Sequence, residues 1–127
     1  MKIVNGIDII EIRRIEKNIK ELGEKFLNRI YTENEIKYCE ERKSQKYQSY
    51  AGKFAAKEAA YKALSSFIKT EYSWKDFEIL NDNMGKPYIN LVIKIEEIES
   101  LSLTVSHCRE YAVANVIAIV NEEKGIK

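Results

Sequence analysis

The sequence predicts an α+β fold, with helices packed on one face of a mainly antiparallel sheet, and three observations predict it. A β-branched run opens the chain at Lys2–Ile10. Helical periodicities and caps then fill residues 11–67. Short apolar runs separated by turn residues occupy most of the remaining chain.

Taken in order, Ile12, Ile15, Ile19 and Leu22 recur at helical spacing over Glu11–Leu22, with Gly23 as the C-cap. Thr32-x-x-Glu35 is a capping box that starts a helix over about Glu33–Arg42. A longer helix is expected over Tyr47–Phe67, and it carries the segment Phe54–Ala63. On a helical wheel Gly52, Ala55, Ala56, Ala59, Ala60 and Ala63 form a small-residue half that permits close packing. Lys53, Phe54, Lys57, Glu58, Tyr61 and Lys62 form the other half, an acid among cations and aromatics. Phe77–Leu80 reads as a short strand, Asn81–Gly85 as turn chemistry, and Tyr88–Ile95 as a strand entered through Pro87. Glu96–Glu99 fits a turn or a short helical insert, and Leu101–Ser106 with Tyr111–Val120 reads as a β-hairpin.

Composition bounds the function. The 127 residues suit a single domain spanning 1–127, and a net charge of +1 argues against nucleic acid as a partner. Cys39 and Cys108 lack CxxC spacing, so neither a zinc site nor a disulfide framework is expected. The N-terminus shows no signal-peptide core, and the apolar stretch near Val116–Val120 is too short to span a membrane. A cytoplasmic location is the resulting expectation.

Asp8 interrupts Ile7, Ile9 and Ile10, so its carboxylate should be partly buried and in need of a cation. A salt bridge or an N-cap for the next helix would serve equally well. Gly6 leaves room for a backbone or ligand beside the strand. Glu58 and Lys62 are in turn an ordinary i,i+4 pair on a solvated helix, or half of a site. If the Ala face lies on the sheet, Asp8 and Glu58 can converge, and two carboxylates are what a protein usually offers Mg²⁺. Lys53, Lys57 and Lys62 would then suit phosphates, in the absence of a glycine-rich phosphate loop. Arg13 and Arg14 sit early in a helix, against its dipole, which favours a partner-binding role. His107, the only histidine, and Lys86 read as exposed turn residues.

These elements together resemble the holo-[acyl-carrier-protein] synthases, which are 4′-phosphopantetheinyl transferases. The matching pieces are Gly6-Ile-Asp8 through Arg14, Phe26-x-x-Arg-Ile30 with Thr32-x-x-Glu35, Ala51–Ala59 with Lys62-Ala63, Asn83-x-Gly-Lys-Pro-Tyr88, and Ser106-His107 with Tyr111-Ala112. The resemblance covers nearly the whole chain and implies the 4′-phosphopantetheinyl transferase fold. It implies transfer of phosphopantetheine from coenzyme A to a serine of apo acyl carrier protein, in support of fatty acid biosynthesis. Asp8 and Glu58 then resemble the Mg²⁺ ligands, Lys62 a contact to the reacting phosphate, and Glu58 the proton acceptor, with Glu35 a second choice. Lys53, Phe54, Lys62, Lys86, Pro87, Ser106 and His107 correspond to coenzyme A contacts, and Arg13 and Arg14 to the carrier-protein surface. Lys53 departs from the family's usual arginine, and an ammonium cannot grip a phosphate bidentately. A homotrimer with sites between subunits is implied as well. A non-catalytic module of the same fold, binding a carrier protein or nucleotide, is the alternative.

Overall fold

The computed structural model describes residues 1–125, so the last two positions of the expected 1–127 domain lie outside the described residues. Strand β1 (Lys2–Glu11) leads into helix α1 (Ile12–Leu22), then α2 (Glu24–Ile30), α3 (Glu33–Glu41) and the long α4 (Lys46–Leu64). Strands β2 (Phe77–Asn81), β3 (Pro87–Leu91), β4 (Ile98–His107) and β5 (Tyr111–Val120) complete the order. The α+β class stands. The strands divide into two antiparallel sheets, however: a three-stranded sheet in the order β1-β5-β4, and a β2-β3 ribbon.

Local chemistry accounts for the boundaries. Gly23 ends α1 at φ 57°, a left-handed conformation that suits glycine, and its N–H donates to the Ile19 carbonyl at 2.8 Å. The chain re-enters a helix at once, and α2 is an element that the sequence does not announce; Phe26, Leu27 and Ile30 supply its apolar face. The Thr32–Glu35 capping box is formed with both of its hydrogen bonds. The long helix ends at Leu64, and Ser65–Phe67 tightens into a 3₁₀ turn. Glu96 and Glu97 lie in a turn, and β4 begins at Ile98.

Helix α4 lies across the three-stranded sheet, and its alanines are the contact surface. Ala55, Ala56, Ala59 and Ala60 are fully buried and pack with Ala114, Val116 and Ala118 of β5. At Gly6 helix and strand come too close for a side chain: a Cβ there would lie 2.8 Å from the Ala63 nitrogen and overlap the Ala59 carbonyl. The room left by Gly6 is therefore filled by backbone. On β1, Val4, Gly6, Asp8 and Ile10 face the helix side, while Ile3, Ile7 and Ile9 are exposed on the opposite face.

Candidate active site

The Gly6 contact sets the site. By drawing α4 onto β1 it brings Glu58 and Lys62, one turn apart on the helix, beside Asp8 on the strand. Lys62 Nζ donates to Asp8 Oδ1 at 3.1 Å and to the Ile7 carbonyl at 3.0 Å, rather than pairing with Glu58. The Asp8 side chain is 16% exposed and that of Lys62 51%. The N-cap alternative for Asp8 is not seen, since Glu11 occupies the N-cap of α1 without a side-chain bond. Glu58 is half-buried; burial first, and then the nearby Asp8 charge, raise its pKa above the ordinary value, with Lys62 acting in the opposite direction. Asp8, Glu58, Lys62, Phe54 and Arg14 line one open cavity of about 500 Å³.

Other expected site residues lie elsewhere. Lys53, Pro87 and His107 line a separate cavity of about 170 Å³, together with Tyr38, Arg42 and Asn81. Lys53 is nearly buried; its ammonium donates to the Ile79 carbonyl at 2.6 Å and to Asn81 Oδ1 at 2.7 Å, and sits over the Tyr38 ring. Burial lowers its pKa. An ammonium has three donors, so one remains for a ligand. Lys86 and Ser106 are exposed and line neither cavity. Arg13 and Arg14 are exposed on α1, beside Lys17 and Lys20, and Arg14 reaches the Asp8 cavity as well. The Ile12 N–H anchors that end of α1 to the Glu110 carbonyl at 2.9 Å.

Two expectations are corrected. Lys57 does not stand among the phosphate-facing cations. It is fully buried, 2.9 Å from Glu35 Oε1, and donates to the Trp74 and Phe77 carbonyls at 3.0 and 2.9 Å. Glu35, also fully buried, accepts from the Thr32 and Ile79 N–H groups, both at 2.7 Å. A carboxylate so enclosed cannot serve as the second-choice base. The wheel misplaced Lys57 because α4 is enclosed on two sides: the sheet covers the alanine face, and α3 with β2 covers the face holding Lys53 and Lys57. Only Phe54, Glu58, Tyr61 and Lys62 are left toward the open side.

Sequence patterns also gave no notice of an aromatic cavity of about 290 Å³ on the far side of Glu58, lined by Tyr61, Tyr72, Ser73, Trp74 and Phe77. Trp74 stacks on Phe54 with ring centroids 4.9 Å apart. The one available signal was that Trp74 is the chain's sole tryptophan.

Chemically, the arrangement offers two carboxylates, one of them with a raised pKa, and a reachable ammonium, all in one open cleft. Comparison with known proteins gives the family. A family profile described as the 4′-phosphopantetheinyl transferase superfamily matches residues 5–116. A holo-[acyl-carrier-protein] synthase from Ruminiclostridium cellulolyticum is 46% identical, with 92% of each chain covered. One from Protochlamydia amoebophila is 48% identical, over 86% of this chain and 91% of that one. Among solved structures, the Bacillus anthracis synthase in complex with CoA (3′,5′-ADP) superposes with a TM-score of 0.77 at 42% identity, covering 93% of this chain and 96% of its own. The Helicobacter pylori synthase in complex with coenzyme A gives 0.79 at 38% identity, covering 91% and 99%. The chain belongs to the 4′-phosphopantetheinyl transferase superfamily and, within it, to the holo-[acyl-carrier-protein] synthases.

Proposed function

We propose that this enzyme transfers the 4′-phosphopantetheine of coenzyme A to a serine hydroxyl of an apo acyl carrier protein, and that it does so with Mg²⁺. The observation that carries the reading is the convergence of Asp8, Glu58 and Lys62 in one open cleft. The donor set suits Mg²⁺, which is commonly held by one or two carboxylates while water and phosphate oxygens complete the shell. Among the described residues no group of three or more His, Cys, Asp or Glu side chains forms a fuller cage. The raised pKa of Glu58 reflects burial and a neighbouring carboxylate, a repulsion that a divalent cation relieves. When bound, Mg²⁺ supplies charge neutralisation at the pyrophosphate.

The protein groups do the rest. The serine oxygen bonds to the phosphorus that carries the pantetheine, and the bond from that phosphorus to the bridging oxygen breaks. Adenosine 3′,5′-bisphosphate leaves with the bridging oxygen. Glu58, which lines the cleft beside Asp8 and Lys62, accepts the serine proton. Lys62, half exposed, swings from Asp8 to steady the transferred phosphoryl group. Lys53 directs its remaining donor, with Phe54, Lys86, Pro87, Ser106 and His107, toward coenzyme A. Arg13 and Arg14 meet the acidic carrier protein, where paired charges speed and orient docking.

The same reading carries a place in fatty acid biosynthesis, a cytoplasmic location and a single domain over 1–127. Among the described residues no helix is long and apolar enough to cross a membrane. A homotrimer with sites between subunits belongs to the reading too. Two features support it: the coenzyme A contacts divide between two cavities of one protomer, and Ile3, Ile7, Ile9 and Ile117 are exposed on the outer sheet face. The alanine face, buried against the sheet, plays no part in it.

The test is the intact mass of apo acyl carrier protein after incubation with the enzyme, coenzyme A and Mg²⁺. A gain of one phosphopantetheine is expected, and it should vanish with Asp8→Ala or Glu58→Ala at unchanged fold. An unmodified carrier protein that still bound the enzyme would indicate the non-catalytic module instead.

A further inference from the structure

We propose that Asn81, at the end of β2, is a positioning residue: its side-chain amide aims the Lys53 ammonium at the co-substrate. This assignment rests on the transferase reading, in which Lys53 is a coenzyme A contact. A lysine ends in a point charge on a flexible four-carbon stem, so it lacks the built-in direction of a guanidinium fork. Three neighbours supply that direction here. The Ile79 carbonyl accepts from Lys53 at 2.6 Å and Asn81 Oδ1 at 2.7 Å, while the Tyr38 ring centroid lies 4.6 Å from the ammonium. The Ile79 acceptor is backbone and the ring attracts charge without pointing a single N–H. Asn81 is therefore the side chain that sets where the third donor goes.

The amide is itself held. Asn81 Nδ2 donates to the Gly85 carbonyl at 3.0 Å. An ammonium can only donate and a carbonyl can only accept, so these two partners permit one orientation of the amide. The turn that holds it closes without Asn81. The Asp82 carboxylate accepts from the Met84 and Lys86 N–H groups, both at 2.9 Å, and the Asp82 N–H donates to the Lys86 carbonyl at 2.9 Å. A self-sufficient turn fixes the amide, and the amide fixes the ammonium.

The acceptor is also uncharged, and that matters beside Lys57. The Lys57 charge is answered by the Glu35 carboxylate at 2.9 Å, whereas Lys53 gives both of its hydrogen bonds to neutral oxygens. Its positive charge is left for the cavity that Lys53 and Asn81 line together with Arg42 and His107. An anionic ligand there meets an ammonium already oriented, so less ordering is needed on binding.

A double-mutant cycle tests the role, with transfer to apo acyl carrier protein followed by intact mass while coenzyme A is varied at saturating Mg²⁺. KM does not depend on how much enzyme is folded, so partial misfolding leaves the readout intact. Lys53→Met should raise KM for coenzyme A about 10- to 100-fold, as loss of a charged hydrogen bond does, and Asn81→Ala about fivefold with kcat within about twofold. In the Lys53→Met background, Asn81→Ala should add less than about twofold, because the group it aims is gone. If Asn81→Ala leaves KM unchanged while Lys53→Met raises it, or if the two effects multiply, the positioning role is overturned and the transferase reading survives. If Lys53→Met itself leaves KM unchanged, Lys53 is no coenzyme A contact and the role of Asn81 falls with it. A parent enzyme that leaves the carrier protein unmodified overturns both.

Discussion

Two of the lysine–carboxylate contacts made from helix α4 look alike in sequence and differ in everything else. Lys57 meets Glu35 at 2.9 Å with both side chains fully buried, and each group has further partners until nothing is left to satisfy. Lys62 meets Asp8 at 3.1 Å in an open cleft, half exposed, with Glu58 close enough to feel the Asp8 charge. The first arrangement ties α3, α4 and the start of β2 into one block. The second holds a cation beside two carboxylates where a ligand can displace it. Enclosure, rather than residue type, separates an ion pair sealed in the core from one left open to a ligand.

Opposite replacements should expose that difference. Lys62→Met should reduce turnover about 100- to 1,000-fold, as removal of one positioned electrostatic donor does, and should cost less than about 1 kcal/mol of stability. Lys57→Met leaves the Glu35 charge buried and unpaired, so unfolding in urea should show a loss of about 3–5 kcal/mol. Turnover per folded molecule should fall far less than in Lys62→Met. If Lys57→Met proved the more damaging to catalysis and the less damaging to stability, the comparison would be inverted.

The contrast also marks how far the sequence could be read. The strand carrying Asp8, the Gly23 stop, the Thr32 capping box and the β4-β5 hairpin were legible because each depends on residues within a few positions. Glu58 and Lys62 were singled out together by the family motifs, and their shared helix face was legible through their spacing. The fate of Lys57 was not, because its partner lies on another helix and a wheel records direction without saying what covers it. The division into two sheets was hidden for a similar reason: strand runs do not state their partners. Trp74 and the aromatic cavity depend on a segment whose spacing carries no periodic signal.

Gly6 links the two regions, since the approach of α4 to β1 positions Glu58 and Lys62 without touching Lys57. In Gly6→Ala the new methyl group meets the Ala59 carbonyl and Ala63 nitrogen, both backbone atoms that cannot turn aside. Overpacking of this kind costs about 1–3 kcal/mol. A displacement of α4 by about 1 Å would lower turnover about 100-fold. Denaturation midpoint and turnover measured together check this. Loss of stability with turnover per folded molecule intact would mean that the cleft tolerates a shift of the helix.

The smallest expected effect is the most direct probe of Glu58. Burial and the Asp8 charge hold its pKa above the ordinary 4.5, so the folded state keeps this proton more tightly than the unfolded one. The stability associated with that proton is present below the ordinary value and is lost as pH rises through the raised one. At pH 7 the ionised Glu58 is therefore a slight burden on the apo fold. Glu58→Gln should be at least as stable as the parent at pH 7 in EDTA, with the difference closing toward pH 4. Mg²⁺ with coenzyme A should reverse the order, because a ligand that binds only the folded parent stabilises it by mass action. Denaturation curves at the two pH values, with and without the ligands, measure all of this. Were Glu58→Gln clearly less stable at pH 7 in EDTA, Glu58 would be a structural partner in the manner of Glu35, and the open side of α4 would lose its claim to the chemistry.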